Sequence, residues 1–321
     1  MPNFTAISTQ IELTHIFKTM LPVALGLFGL MTLWSIIWSY RLHHHWHLAI
    51  RRSLAHLVLA FAISLIGFQI WQTNIFNIAG TTQKQLQHYH YQKLQRTHTI
   101  YALTARQRIA KMVMRNAANG YHKQGFVAIP TRSILLPIYD DAYSVAGLNQ
   151  GANYANRSAD DPNGTNMPVM GQGNYGLAAH NFNDGHTGFS ALQKNRSQNA
   201  PYLQNGQPGS SDWLQGQKVY LANGTHIYTY TITGQDLVKP SDVSVLNATK
   251  HAKLTIISCL FPDTNYRIIT HATLTKSATW ANASDRTVGY FDLTNQATNA
   301  HAAWFNPGTE EGVNGDAGGT K

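Results

Sequence analysis

From Met20 to Tyr40 the chain carries no charged residue, and Leu, Ile, Val, Met, Phe and Trp dominate the run. At about 1.5 Å per residue, a helix of this length spans roughly 30 Å, the thickness of a bilayer's hydrocarbon core. A second apolar stretch, Ser53 to Trp71, tolerates only His56, Ser64 and Gln69 as strongly polar members. Trp34, Trp38, Tyr40, Trp46 and Trp71 fall near the ends of the two runs, where interfacial aromatics sit. The pattern predicts a transmembrane helical hairpin, with helices over 20–40 and 53–79. Two buried core helices would be the alternative, but tandem runs of this length fit it less well. A cleaved signal peptide fits poorly, because the first run exceeds an h-region and no clear small-residue cleavage site precedes the second.

The intervening loop, 41–52, holds Arg41, Arg51 and Arg52 and favours the cytoplasmic side. That topology puts both the N-terminal segment, 1–19, and everything after residue 80 outside the cell membrane. Lys84, Lys93 and Arg96 pull the other way. His43, His44, His45 and His47 have no carboxylate or cysteine nearby, and adjacent histidines suit a structural metal poorly. They read as a titratable interfacial loop, and no metal site is expected there.

The formal charge of +9 is not spread evenly. Residues 1–120 carry eleven Lys and Arg against the single acid Glu12, whereas residues 121–321 carry thirteen bases against fourteen acids. The basic excess therefore belongs with the apolar runs, where a membrane surface is the natural partner. The second part has no basic stripe to follow a phosphate backbone, so nucleic acid is excluded as a partner. Residues 80–120 are Gln-, His- and Arg-rich, with Leu86, Leu94, Ile100, Leu103, Ile109 and Val113 at loosely helical spacing. They predict a solvated helical stalk or linker ending at Asn119-Gly120.

After Gly120 short apolar runs alternate with turn residues: 126–129, 135–139, 176–180, 218–222, 225–233, 254–259 and 267–274. Asn223-Gly224 favours a tight type I′ hairpin, and Thr225 to Thr233 alternates with period two. Many short strands with Gly- and Asn-rich connections predict an all-β barrel or sandwich. No Walker loop or Gly-x-Ser-x-Gly elbow is present.

Cys259, the only cysteine, ends the run Leu254-Thr-Ile-Ile-Ser-Cys259. It has no intramolecular disulfide partner, so it is either a small buried hydrophobe or a reactive thiol. Seven residues separate it from Arg267, which begins the next predicted strand, and such a loop can set the two side chains together. A guanidinium there favours thiolate and can hold an oxyanion. The third partner should be a histidine from elsewhere, and His180, ending Tyr-Gly-Leu-Ala-Ala-His, is the best candidate.

Gly-Asn-Tyr-Gly-Leu-Ala-Ala-His180-Asn, Phe189-Ser-Ala-Leu, Leu254-Thr-Ile-Ile-Ser-Cys259 and Arg267 together resemble the sortase family, class A. The stretch Ile129 to Tyr139 resembles the segment that opens the sortase barrel, and the likeness spans roughly 126–275 in the family's order. It implies an eight-stranded sortase-type β-barrel over 121–276, after the hairpin and stalk. It also implies a membrane-anchored cysteine transpeptidase of Gram-positive bacteria, two-pass here, with its catalytic domain extracellular. Such enzymes cut a Leu-Pro-x-Thr-Gly-like sorting signal between Thr and Gly and pass the acyl group to the amine of a lipid II-type peptidoglycan precursor. Surface proteins bearing that signal are the implied partners.

The implied roles are Cys259 as nucleophile, His180 as general acid and then base, and Arg267 as holder of substrate and oxyanion. Ala178 and Ile257 match positions lining the substrate groove, and Ser258 takes the place of the usual threonine. Ala179 for glycine and Ala191 for proline are mild departures. No cofactor is required. Some family members bind calcium near the groove; Asp160, Asp161, Asp236 and Asp242 are the acids available for it, and they read better as scattered surface acids. His186, after Asp184-Gly185, reads as a solvated loop residue, and His271 as a structural strand histidine. Nothing in 83–125 matches the lid of pilin-polymerising class C enzymes. The rival readings are a surface-displayed β-domain that only binds, a pilin polymerase, and a hydrolase that releases its substrate. The extension 277–321, with Trp280, Tyr290, Phe291 and Trp304, either packs on the barrel or is disordered, its Gly-rich end favouring disorder.

Overall fold

The computed structural model describes residues 99–115 and 120–300 continuously, with separate helical positions between 26 and 92. Segment 1–19, loop 41–52 with its histidines, and residues 301–321 lie outside the described residues, as does most of the two predicted spans. Two compact units divide at Phe76 and Asn77. In the first, Leu30, Leu33, Trp34, Ile37, Leu59 and Ile63 are helical and exposed. Among the described residues no helix is long and apolar enough to cross a membrane.

In the second unit a helix, α1 (Leu103–Met112), precedes the strands β1 (Gly125–Ile129) and β2 (Ile134–Tyr139). A short helical turn, α2 (Val145–Leu148), leads into β3 (Ala152–Ala155) and β4 (Asn174–Ala178). Three two-residue strands follow, β5 (Leu203–Gln204), β6 (Gln207–Pro208) and β7 (Ser210–Ser211). Then come β8 (Lys218–Ala222), β9 (His226–Val238), β10 (Lys253–Cys259), β11 (Arg267–Thr279) and a last helix, α3 (Asp285–Gly289). β11 thus runs three residues past the domain boundary expected at 276.

The main sheet runs β11-β10-β4-β3-β2-β1-β8-β9, with β7 on the edge of β9, and the pairing of β11 with β9 closes it. The result is an eight-stranded barrel, and closure leaves none of these eight strands with a bare edge. Most neighbours are antiparallel, but β2–β3 and β4–β10 run parallel. A parallel pair needs a long crossover. The chain between Ala178 and Lys253 makes it, building β8 and β9 on the way.

Alternation decides what fills the barrel. Val127, Ile129, Leu136, Leu177, Leu254 and Ile256 point inward into one buried cluster. Their neighbours Phe126, Ala128 and Leu135 face outward and are buried as well, beneath α1 and the C-terminal extension. This two-sided burial explains why β1 has no exposed position. The covering helix is α1, which presents Arg106, Ile109 and Ala110 inward, with Val113 just beyond its end, the i, i+3, i+4, i+7 face of a helix. Trp280, Val288, Phe291 and Leu293 of the extension complete the cluster. The last part of the predicted stalk is therefore packed rather than solvated, because its apolar stripe meets the outer face of β1.

The hairpin between β8 and β9 forms with a different turn from the one the sequence favours. Neither Gly224 nor Thr225 adopts a positive φ. Asn223 instead caps the turn, its Oδ1 accepting from the backbone N–H groups of Thr225 (3.0 Å) and His226 (2.9 Å).

Candidate active site

β4 and β10 run in the same direction, so their C-terminal ends arrive at the same rim of the barrel. Ala178 stands opposite Ile257, and the Ala179 N–H donates to the Ile257 carbonyl at 3.3 Å. His180 and Cys259 each lie two residues further along, on the same face as Ala178 and Ile257. Tyr175, Leu177, Leu254 and Ile256 take the opposite, inward face. Cys259 then stands directly opposite Arg267 in the antiparallel pairing of β10 with β11. Side chains in such a pair leave the sheet on one side, with Cβ atoms about 5 Å apart. One rim of the barrel thus gathers His180, Cys259 and Arg267 from three adjacent strands.

Each of the three is half-buried. Burial first, and the Arg267 guanidinium second, push the His180 pKa down from 6.5 to about 4. The imidazole is therefore neutral at pH 7. Its Nε2 lies 3.1 Å from Asn149 Oδ1, which assigns the ring proton to Nε2 and leaves Nδ1 as an acceptor. The ring also stands edge-on to Phe182 at 5.1 Å between centroids. Arg267 is steadied from below, its Nη1 donating to the carbonyls of Thr264 (2.8 Å) and Tyr266 (3.0 Å).

Two amides not singled out in the sequence bind these parts together. Asn181 Nδ2 donates to the Cys259 carbonyl and to Gln193 Oε1, both at 2.8 Å. Gln193 in turn accepts from the Phe261 N–H at 3.0 Å and donates to the Phe261 carbonyl at 2.6 Å. The Asn181–Gln193 pair fixes the strand end carrying His180 to the loop that follows Cys259. The position of Asn181, next to His180, was the only sequence signal for it.

Ala178 and Ile257 stand side by side on the outward face of β4 and β10, both half-buried. The segment between β9 and β10 lies against β4, where Leu246 packs against Gly176 and the Asn174 amide donates to the carbonyls of Val245 (2.9 Å) and Asn247 (3.0 Å). Ser258 does not share that face. Alternation turns its side chain inward, opposite Ile268, and it is 3 % exposed. His186 is not a solvated loop residue, since it is buried at 1 % exposure. His271 lies four residues along β11 from Arg267 and pairs with Asp236 at 2.9 Å. Among the described residues no three His, Cys, Asp or Glu side chains come together as a metal site. Asp161 is taken up by its own turn, where hydrogen bonds led by the Thr165 N–H hold its pKa near 2, and Asp242 caps the turn at Ser244.

A sequence model of the sortase domain matches residues 127–275, which contain the whole rim. That stretch of the chain is a sortase domain. It is 28 % identical over 245 residues to sortase A of Streptococcus agalactiae serotype III, a match covering 75 % of this chain and 88 % of that protein. It is 29 % identical over 169 residues to sortase A of Listeria monocytogenes serovar 1/2a, covering 51 % of this chain and 63 % of that one. The solved structure of Listeria monocytogenes sortase A aligns with 53 % of this chain and 97 % of its own, at 25 % identity and a TM-score of 0.39. Both curated relatives are sortase A proteins, which supports class A. Sortases are cysteine transpeptidases, and the single cysteine of the 321 residues, Cys259, lies inside the matched stretch.

Proposed function

We propose that this sortase cleaves a Leu-Pro-x-Thr-Gly-like sorting signal between Thr and Gly and transfers the acyl group to a cell-wall precursor amine of the lipid II type. The observation that carries the assignment of roles is the register of the rim. Cys259 faces Arg267 across one pairing, and the parallel pairing of β4 with β10 brings His180 to the same end. The Cys259 sulfur bonds to the threonine carbonyl carbon while Arg267 balances the charge on the carbonyl oxygen. His180, neutral at rest, takes the thiol proton and delivers it to the glycine nitrogen as the C–N bond breaks. The resulting thioester is then attacked by the incoming amine, whose proton passes to His180 and back to the departing sulfur. Transfer to an amine conserves an amide bond, so cleavage becomes attachment.

Ala178 and Ile257 form the floor on which the signal lies. The first unit, with its exposed apolar helical side chains, is read as a two-pass membrane anchor that leaves the barrel outside the cell. The test uses a series of Leu-Pro-x-Thr-Gly peptides, with x varied and triglycine as acceptor, against the full chain in detergent. The expected product is the triglycine conjugate, absent from Cys259→Ala and His180→Ala. Hydrolysis alone would favour a releasing enzyme, and no conversion of any peptide would overturn the reading.

A further inference from the structure

The match to the sortase domain ends at residue 275, yet the chain goes on to cross the outer face of the barrel and return to the catalytic rim. Asn299, fully buried, is where it arrives. Its Oδ1 accepts from the Leu135 N–H of β2 at 2.8 Å, and its Nδ2 donates to the carbonyls of His186 (2.7 Å) and Gly188 (2.9 Å). Its backbone does the same work twice more, with Asn299 N to Leu135 O at 3.1 Å and Gly188 N to Asn299 O at 2.8 Å. Five hydrogen bonds thus tie β2 to the far side of a loop.

That loop begins at His180. Residues 181–188 leave the rim and come back, and the neck closes where Asn181 pairs with Gly188 and the Phe189 N–H donates to the His180 carbonyl at 2.8 Å. Gly188 sits so close that a Cβ on it would lie 2.3 Å from that carbonyl. The backbone of His180 is therefore held on one side by β10, through the Ala179–Ile257 bond, and on the other by the Gly188 that Asn299 clamps. At its opposite end the extension is locked to α1. Arg106 donates to the carbonyls of Trp280 and Ala283, both at 2.7 Å, and to Asp285 Oδ1 at 2.7 Å.

We propose that the segment from Trp280 to Ala300 is a strap that sets the position of His180, and that Asn299 is its positioning residue. The inference rests on His180 being the acid and base proposed above. Asn299 does not touch the substrate; it acts through Gly188 and the neck. A donor pair lost there lets the neck relax away from β10, and the imidazole with it.

The test compares the full chain with Asn299→Ala and with Val219→Ala, which hollows the barrel interior without touching the strap. In Asn299→Ala, kcat for peptide conversion is expected to fall about tenfold to a hundredfold, as for a reacting group misplaced by a fraction of an ångström, with KM little changed. The limb of the pH–rate profile that reports His180 should move as well. Val219→Ala should lose at least as much thermal stability while keeping kcat and the pH profile of the wild type. Should Asn299→Ala fail to fold, Asn299→Ser, whose shorter hydroxyl cannot serve both carbonyls, carries the same expectation. A wild-type kcat and pH profile in the folded Asn299 variant overturns the inference, as does an equal loss of kcat in Val219→Ala. An inactive wild-type chain removes the proposed function and this inference with it.

Discussion

Replacing Arg106 by methionine should loosen the contact between α1 and the C-terminal extension more than any other single change there. The side chain is 11 % exposed. It donates from Nε to the Tyr101 carbonyl at 2.9 Å, from Nη1 to the carbonyls of Trp280 and Ala283 at 2.7 Å and of Ala281 at 3.5 Å, and from Nη2 to Asp285. Methionine keeps the aliphatic stem and removes every donor. The carbonyls of Trp280 and Ala283 lose a buried partner, at about 1–3 kcal/mol each. Asp285, at 25 % side-chain exposure, can turn to water, so its ion pair adds no more than about 1 kcal/mol. The groups form one network, and the losses do not simply add, which gives a total of about 3–5 kcal/mol. In a domain of this size that corresponds to a Tm lower by roughly 6–20 °C. Thermal and urea unfolding of the full chain in detergent, followed by tryptophan fluorescence, measures it, since Trp280 sits in the affected cluster. A double-mutant cycle with Asp285→Asn isolates the ionic part. A Tm within about 2 °C of wild type would refute the argument, because it would mean that the freed carbonyls find other partners at no cost.

Three further outcomes follow from the rim. Gly188→Ala places a methyl 2.3 Å from the His180 carbonyl at a φ of +61°, so peptide conversion should fall at least a hundredfold, by analogy with other misplaced reacting groups; wild-type turnover would sink that reading. Gly176→Ala drives a Cβ to 2.4 Å from both Leu246 Cδ2 and the Ala155 carbonyl, which should displace the segment between β9 and β10 beside the proposed substrate floor and raise KM more than it lowers kcat in steady-state kinetics. His180, at about 4 in the folded chain and 6.5 in its absence, makes the unfolded state bind more protons between those values. Stability should therefore fall as pH drops from 6.5 to 4, by at most about 3 kcal/mol, and His180→Gln should flatten that part of a urea-midpoint profile.

Much of the barrel was legible because period-two alternation marks half-buried strands. The runs ending at Ile129, Tyr139, Ala222 and Cys259 coincide with the ends of β1, β2, β8 and β10. β3 escaped because its burial is polar: Asn153, fully buried, accepts from the Asp141 N–H and donates to the Gly147 carbonyl. The last five residues of β9 escaped for the same reason, since Gln235 is buried by bonds to Leu192 O and Thr270 Oγ1 rather than by apolar contact. Cys259 and Arg267 could be paired from loop length alone, and His180 by its place at the end of an apolar run. The strap could not be read in advance. Arg106 meets carbonyls more than 170 positions away, and a side chain that recognises backbone leaves no pattern in the residues it recognises.

The site also shows why the alternation of β10 must be fixed so firmly. A slip of one residue would turn Cys259 into the barrel and present Ser258 at the rim in its place, exchanging a strong nucleophile for a weak one with no loss of apolar pattern at the strand end. Hydrophobic burial alone opposes such a slip mainly through Leu254 and Ile256. Polar contacts add the rest, and they cluster at both ends of the strand. Thr255 Oγ1 donates to Asn174 Oδ1 at 2.7 Å near the start, and Asn181 and Gln193 hold Cys259 O and Phe261 N at the finish. Each of these bonds is made in only one register. Asn181→Ala should accordingly lower activity by more than its loss of stability accounts for, since it frees the strand end that carries the sulfur. If kcat in that variant tracked the folded fraction alone, apolar packing would suffice to set the register and the amide pair would be no more than ordinary loop bonding.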